Sequence, residues 1–401
     1  MKNNLLRFLS VAIFTGFALA SCSKSTEVEV TDELGGSIGT RTLYADTVYV
    51  IDRFAYVDSG DVLTIQPGTI IKANTGSGPN ASALIIGRGG KINAVGTPEM
   101  PIIFTSVEDD IQPGETMSTL STDSKGLWGG VIILGYAPSS VGDGDTEGVI
   151  EGVPSIYTFS RYGGDDEEDN SGRMEFVSIR YTGSELITDQ EIQGLTLGGV
   201  GSETILSNIE IISSDDDGVE FFGGTVSVSN FLIAYQSDDA VDLDQNYSGT
   251  MSNFLVFVNN AAAGNDANEH DGPENVTYTD GLYTLMNSTF INLAGNSRAG
   301  TLKSGAQGTI KDCAFIDFNE GFRIDGGSAT TNYETGKLKV KDCQFNFSGT
   351  VRDFITASAK ETEIKDLFEA DGNEKLAKGD ITKGADDSVF GWTFAKSLGL
   401  F

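Results

Sequence analysis

Between Thr204 and Asp271 acidic side chains return at a fixed interval. Asp216-Asp217-Gly-Val-Glu220 is followed by Asp238-Asp239-Ala-Val-Asp242-Leu-Asp244, and then by Asp266-Ala-Asn-Glu269-His270-Asp271. Superposing the three copies makes columns: Asp217, Asp239, Asp266 and Glu320 in one, Glu220, Asp242 and Glu269 in a second, Asp244, Asp271 and Asp325 in a third. Carboxylates held one strand apart repel unless they are protonated, paired or bound to a cation. Arg298, Lys303 and Arg323 follow closely enough to pair with some of them. The rest predict a hard divalent cation, and an all-oxygen donor set points to Ca²⁺ rather than zinc. The expected ligands are Asp217, Glu220, Asp239, Asp242, Asp244, Asp266, Glu269 and Asp271. The alternative is a row of acids splayed into water. His270 is the only histidine, so an imidazole site or triad needs that residue, which reads as a stacking loop residue.

The elements that carry these acids are set by the same interval. Asn208, Asn230 and Asn253 stand 22 and 23 residues apart, each ahead of a short β-branched run. That is the period of a solenoid whose turns are a few short strands. Asn287, Asp312 and Asp342 continue the series, and these residues should stack about 4.8 Å apart and bond along the ladder. The register places Ile209, Phe231, Phe254, Ser288, Cys313 and Cys343 in one inward column. Ile211, Ile233, Val256, Phe290, Phe315 and Phe345 form the next. Cys313 and Cys343 then sit on neighbouring rungs, either as a disulfide or as two buried thiols. Upstream, runs such as Val62-Leu-Thr-Ile and Ala83-Leu-Ile-Ile alternate with Pro-Gly and Gly-Gly corners. Two excursions, residues 108–125 and 142–172, interrupt the rungs, and the second holds five consecutive acids, Asp165 to Asp169. The expected fold is an all-β, single-domain parallel β-helix with long edge loops and a small C-terminal cap. Its parts are the coil at 41–358 and a capping segment at 359–401, where Ile364, Leu367 and Phe368 show helical spacing.

Ahead of the coil, residues 1–21 read as a secretion signal, with Lys2 and Arg7 before an apolar run too short to span a bilayer. Leu19-Ala20-Ser21-Cys22 matches a bacterial lipobox and makes Cys22 the expected lipidation site. Residues 22–40 are polar and acidic, the composition of a flexible tether. A formal charge of −32, from 26 basic and 58 acidic residues, argues against nucleic acid as a partner.

The early rungs resemble those of right-handed parallel β-helix proteins. Gly126-Leu-Trp-Gly-Gly-Val-Ile-Ile-Leu-Gly135, Glu220-Phe-Phe-Gly-Gly and His270-Asp-Gly-Pro-Glu274 are similar to motifs of secreted Bacteroidota β-helix lipoproteins. That resemblance implies a right-handed coil and an envelope location, and carries no catalytic residues with it. Ser237-Asp-Asp-Ala-Val-Asp242 resembles the paired-aspartate motif of inverting polygalacturonases, and Gly321-Phe-Arg-Ile-Asp325 their arginine motif, with Asp325 where a lysine is expected. The likeness implies Asp238, Asp239 and Asp242 as acid and base for a polysaccharide hydrolase. The leading expectation is instead a non-catalytic outer-membrane lipoprotein at the cell surface. Its acidic, Ca²⁺-ordered face would bind a glycan, a TonB-dependent transporter or another envelope protein.

Overall fold

The computed structural model describes residues 31–187, 190–259, 266–293 and 297–401. The expected signal at 1–21 and Cys22 lie outside the described residues. Of these residues, 28 strands join into one continuous parallel assembly, a right-handed parallel β-helix as the repeat predicts.

Each turn of the coil passes through three sheets. The first holds Val62–Ile65, Lys91–Val95, Thr250–Ser252, Tyr283–Met286, Gly308–Lys311 and Leu338–Lys341. The second holds Ile70–Ala73, Ile102–Ser106, Leu255–Val258 and Thr289–Asn292. The third holds Ala83–Ile86, Val131–Leu134, Leu195–Gly198, Val219–Phe222, Val241–Asp244, Asn268–His270 and Arg298–Leu302. Some strands, such as Ile205–Ile212 and Val228–Ala234, bend from the first sheet into the second without a break.

The bend is made by one residue in the left-handed region: Asn208 (φ 54°), Asn230 (59°), Asn253 (59°), Asn287 (52°), Asp312 (54°) and Asp342 (54°). Asparagine and aspartate tolerate that conformation better than other side chains bearing a Cβ. The amides also bond along the coil, Asn230 Nδ2 donating to Asn208 Oδ1 (3.1 Å) and Asn253 Nδ2 to Asn230 Oδ1 (2.7 Å). The corner ladder is therefore structural.

Inside, the predicted columns are in register: Ile211, Ile233, Val256, Phe290, Phe315 and Phe345 pair strand to strand. Phe231 and Phe254 stack at 5.0 Å, and Phe290 and Phe315 at 5.1 Å. Cys313 and Cys343 are buried free thiols and not a disulfide. Successive rungs hold their Cα–Cβ bonds parallel and about 4.8 Å apart, wider than the roughly 3.8 Å between the Cβ atoms of a disulfide.

Two boundaries move. Thr31–Ser37 already pairs in parallel with Val48–Val57, so the coil begins inside the segment expected to be a tether at 22–40. The segment at 359–401 divides in two. A helix, Glu361–Ala370, closes the coil by burying Ile364 and Phe368. The chain then returns along the outside of the second sheet: Ala385 N donates to Thr289 Oγ1 (2.8 Å), Asp386 N to Asn253 Oδ1 (2.6 Å) and Ala395 N to Glu210 Oε1 (2.8 Å). Phe390 and Phe394 bury themselves against Ile212, Leu232, Leu255 and Phe257. Arg180, fully buried beneath this strap, lies 4.6 Å from the Phe394 ring and donates from Nε to Ser178 Oγ (2.7 Å). An outward apolar column on the second sheet thus has its own cover, which the strand pattern alone does not reveal.

The excursion at 142–172 lies over the third sheet, where Ile150, Val153 and Phe159 pack on Ala83, Ile85, Ile132 and Leu134. Its apolar cluster extends to Phe222, on the strand that carries Glu220, and leaves the strands of Asp242 and Glu269 outside it.

Candidate metal centre on the third sheet

Outward positions on the third sheet align in register: Thr196 with Glu220, Glu220 with Asp242, Asp242 with Glu269, Glu269 with Thr301, and Thr301 with Arg323. The turn entering this sheet supplies the first column. Asp217 Oδ1 accepts from Asp239 N (2.9 Å), and Asp239 Oδ1 accepts from Asp266 N (2.6 Å). Side chain to backbone bonding from rung to rung makes this column a ladder like that of the asparagines. Glu320 is separated from Asp266 by a rung bearing Arg298, which pairs with both, at 3.1 Å to Asp266 and 3.3 Å to Glu320.

The eight expected ligands therefore fall into different states. Asp239 and Asp266 are engaged in the ladder, and Asp266 also pairs with Arg298. Glu269 pairs with Lys303, whose Nζ also lies 4.0 Å from Asp271. Burial opposes the Lys303 charge, but the Glu269 bond and the fields of Asp271 and Asp242 raise its affinity for the proton well beyond the usual. Asp244, two residues beyond Asp242, faces the charges of Asp271 and Glu274.

Asp217, Glu220 and Asp242 are the acids brought together. One oxygen from each lies within 4.8 Å of the others. Asp217 is 7% and Glu220 5% exposed, and Glu220 Oε2 and Asp242 Oδ1 are buried without a hydrogen-bond partner among the described residues. Among those residues no lysine or arginine forms an ion pair with any of the three. Asp217 belongs to a second group with Asp216 and Asp238, so it stands between two sets of oxygens. Asp216 also accepts from Gln193 Nε2 (3.3 Å).

Burial, reinforced by neighbouring carboxylates, pushes Asp217, Glu220, Asp239 and Asp242 well above the usual carboxylate range. The same causes raise Asp216 and Asp244 to about 7. Asp271 rises to about 6 through burial, opposed by Lys303. Asp266 rises to about 6 through burial, opposed by Thr301 and Arg298. A cation reverses this cost, because its charge favours the ionised form of every ligand. The donor set fits Ca²⁺: oxygens only, with a ligand number that carboxylates and waters can complete.

His270 departs from the loop position expected of it. It lies on a strand between Leu243 and Leu302 and points into the core. Its ring meets Tyr283 edge-on at 4.6 Å, and burial drops its pKa to about 3. The acid face thus has no imidazole from this residue. The five-acid run also takes a local role: Asp169 is held by Ser171 Oγ (3.2 Å), and Asp166 Oδ1 accepts from Glu168 N (3.2 Å). The doubling in Asp216-Asp217 and Asp238-Asp239 carried the signal for Asp216 as a further acid of the cluster. Glu151, whose charge reaches Asp216 and Glu220, had no such signal, because it comes from the excursion.

The family model for the pectate-lyase-like beta helix domain matches residues 36–393, a description that fits a polysaccharide-related role. No curated protein and no solved structure matches the chain. With the match running from the first rung to the returning strap, the chain belongs to the pectate-lyase-like β-helix family.

Proposed function

We propose that the protein is a lipid-anchored, cell-surface β-helix that binds polysaccharide on a Ca²⁺-ordered acidic face without cleaving it. The observation that carries this reading is the Asp217, Glu220 and Asp242 cluster, where, among the described residues, two buried oxygens lack partners and no basic residue forms an ion pair. Carboxylates in that state favour a hard cation. Ca²⁺ takes six to eight oxygens, more than three side chains supply, so positions remain for the hydroxyls of a sugar. The chain's own residues set the register: the ladder through Asp217 and Asp239 fixes the turn, and the paired strands fix Glu220 beside Asp242. Cys22 provides the anchor in this reading, and a neighbouring transporter or envelope protein is the partner that would receive bound glycan.

Hydrolysis by Asp238, Asp239 and Asp242 is the rival. It requires an acid and a base whose carboxyls are available to substrate, whereas Asp239 is 6% exposed and committed to the Asp266 backbone. The deciding experiment incubates the purified full-length protein with a polysaccharide panel, with and without Ca²⁺. It measures retention in affinity electrophoresis and release of reducing ends. Ca²⁺-dependent retention without release is expected. Release abolished by Asp239→Asn would establish the rival, and retention indifferent to Ca²⁺ and to Glu220→Gln would remove the metal centre from the function. Loss of fatty-acid labelling in Cys22→Ala tests the anchor.

A further inference from the structure

The third sheet has a second feature at its beginning, ahead of the acids. Phe54 and Tyr56 lie on its outer side, in contact with the cluster formed by the excursion. Tyr56 pairs in register with Ile85, then Ile132, Thr196 and Glu220. Four steps of about 4.8 Å place the backbone positions of Tyr56 and Glu220 roughly 19 Å apart on one sheet. The excursion stands between them and contributes two more rings. Phe159 stacks on Tyr56 (4.0 Å, interplanar angle 21°) and Tyr157 stacks on Phe159 (4.9 Å, 13°). Phe54 meets both excursion rings edge-on at 6.4 Å.

These four rings line a cleft of about 720 Å³, within the roughly 300–1,000 Å³ of small-molecule sites. Its other walls include Glu33, Asp52 and Arg53. Arg53 is held in the left-handed region (φ 56°), its N–H donating to Ser82 Oγ (3.1 Å). Its side chain is 70% exposed, with Nε 3.6 Å from Asp52. Asp52 is steadied by Asn74 Nδ2 at 3.1 Å.

We propose that this cleft is a sugar-binding subsite that takes pyranose rings of an uncharged glycan. The C–H face of a pyranose carries partial positive charge and lies flat against the negative face of an aromatic ring. Its rim of hydroxyls needs donors and acceptors together, and a guanidinium beside two carboxylates supplies both. The other ligand classes fit less well. A purely apolar chain would strip water from Arg53, Asp52 and Glu33 without replacing their hydrogen bonds. A polyanion would meet two acids in the wall and a chain of charge −32. The subsite shares only its ligand class with the function proposed above and involves no metal.

The test titrates the full-length protein in detergent with cellohexaose, xylohexaose, mannohexaose and a galactan hexasaccharide by calorimetry, with saturation-transfer NMR on the sugar protons. At least one should bind, with transfer strongest to ring C–H protons. Tyr157→Ala and Arg53→Ala should each weaken binding about tenfold, while Tyr157→Phe retains most of it. Tyr157 is 39% exposed, so unchanged melting of its alanine variant separates loss of contact from loss of fold. Chelator and Asp242→Asn should leave this binding intact. Three results overturn the proposal: no binding by any hexasaccharide, binding indifferent to Tyr157→Ala, or binding lost to chelator, which would move the sugar to the acid cluster. Uptake of a peptide of residues 22–30 in place of the sugars would give the cleft to the chain's own N-terminal segment and also overturn it.

Discussion

Removing metal at two pH values probes the acid face most directly. Asp216 and Asp244 are raised to about 7 by burial and by neighbouring carboxylates, whereas an unfolded aspartate titrates near 3.9. A folded-state pKa above the unfolded one means that the fold holds protons the unfolded chain has released. The penalty is absent below about pH 4, grows through the interval to 7, and is complete above it. Between pH 5 and 8 each group has about two units to traverse, at about 1.4 kcal/mol per unit. Partial solvation and shared fields remove about half of the sum, leaving about 3 kcal/mol. For a chain of this size that is a fall in Tm of about 4 °C. Ca²⁺ at a hundredfold excess over its Kd returns about 2.7 kcal/mol, and it does so at pH 8, where its ligands are ionised. Metal-stripped protein should therefore melt lower at pH 8 than at pH 5, and added Ca²⁺ should close most of the gap. Circular dichroism melts with and without Ca²⁺ at both pH values provide the assay. A metal-free protein at least as stable at pH 8, or a Ca²⁺ effect no larger there than at pH 5, would refute the reasoning.

Other perturbations separate ladder, strap and core. Asp239→Asn keeps an acceptor for the Asp266 N–H and should change melting little, whereas Asp239→Ala leaves that buried donor unpaired and should cost about 1–3 kcal/mol in denaturant titration. Phe394→Ala opens a cavity beside Arg180 at a ring 3% exposed and should cost about 3–5 kcal/mol; a loss below 1 kcal/mol would mean that the strap does not hold the coil. Cys313 and Cys343 should resist a thiol reagent in the native protein and react on denaturation. Asn230→Ala breaks two rung-to-rung amide bonds at a residue with φ 59° and should lower Tm, while Asn230→Gly, which accepts that backbone, should lower it less.

The coil was legible because its determinants repeat. An asparagine every 22 or 23 residues fixes the corner, and the residues one and three positions later must then point inward. The acid columns followed from the same count as far as Asp271. They failed at Glu320, because the intervening rung, whose corner is Asn287, carries an arginine, Arg298, in the acid column. His270 was misplaced because Asn268 and His270 occupy inward positions that Val241 and Leu243 fill one rung earlier. Polar residues in a core column read as loop until the pairing is known. The aromatic cleft was invisible for a different reason: Phe54 and Tyr56 meet Tyr157 and Phe159 across about a hundred residues, and the excursion that joins them has no period. The strap is the same case, a single pass of chain whose partners lie one or two rungs apart along the coil.

The distribution of counter-charge sharpens the reading of the acids. A parallel coil can neutralise any outward carboxylate by placing a base one rung on, in the same column or beside it. It does so at Asp266, where Arg298 occupies the next rung, and at Glu269 and Asp271, where Lys303 does. The rungs around Asp217, Glu220 and Asp242 have the same geometry, and the neighbours there are Thr196 on one side and Glu269 on the other. Burial removes water as the remaining screen, which is why these carboxyls rise well above the usual carboxylate range. Electrostatic neglect of a whole acidic surface would leave the later rungs unpaired as well. Since they are paired, the charge left over is local to two adjacent strands and the turn before the first, the extent that the proposed site for one or two ions requires.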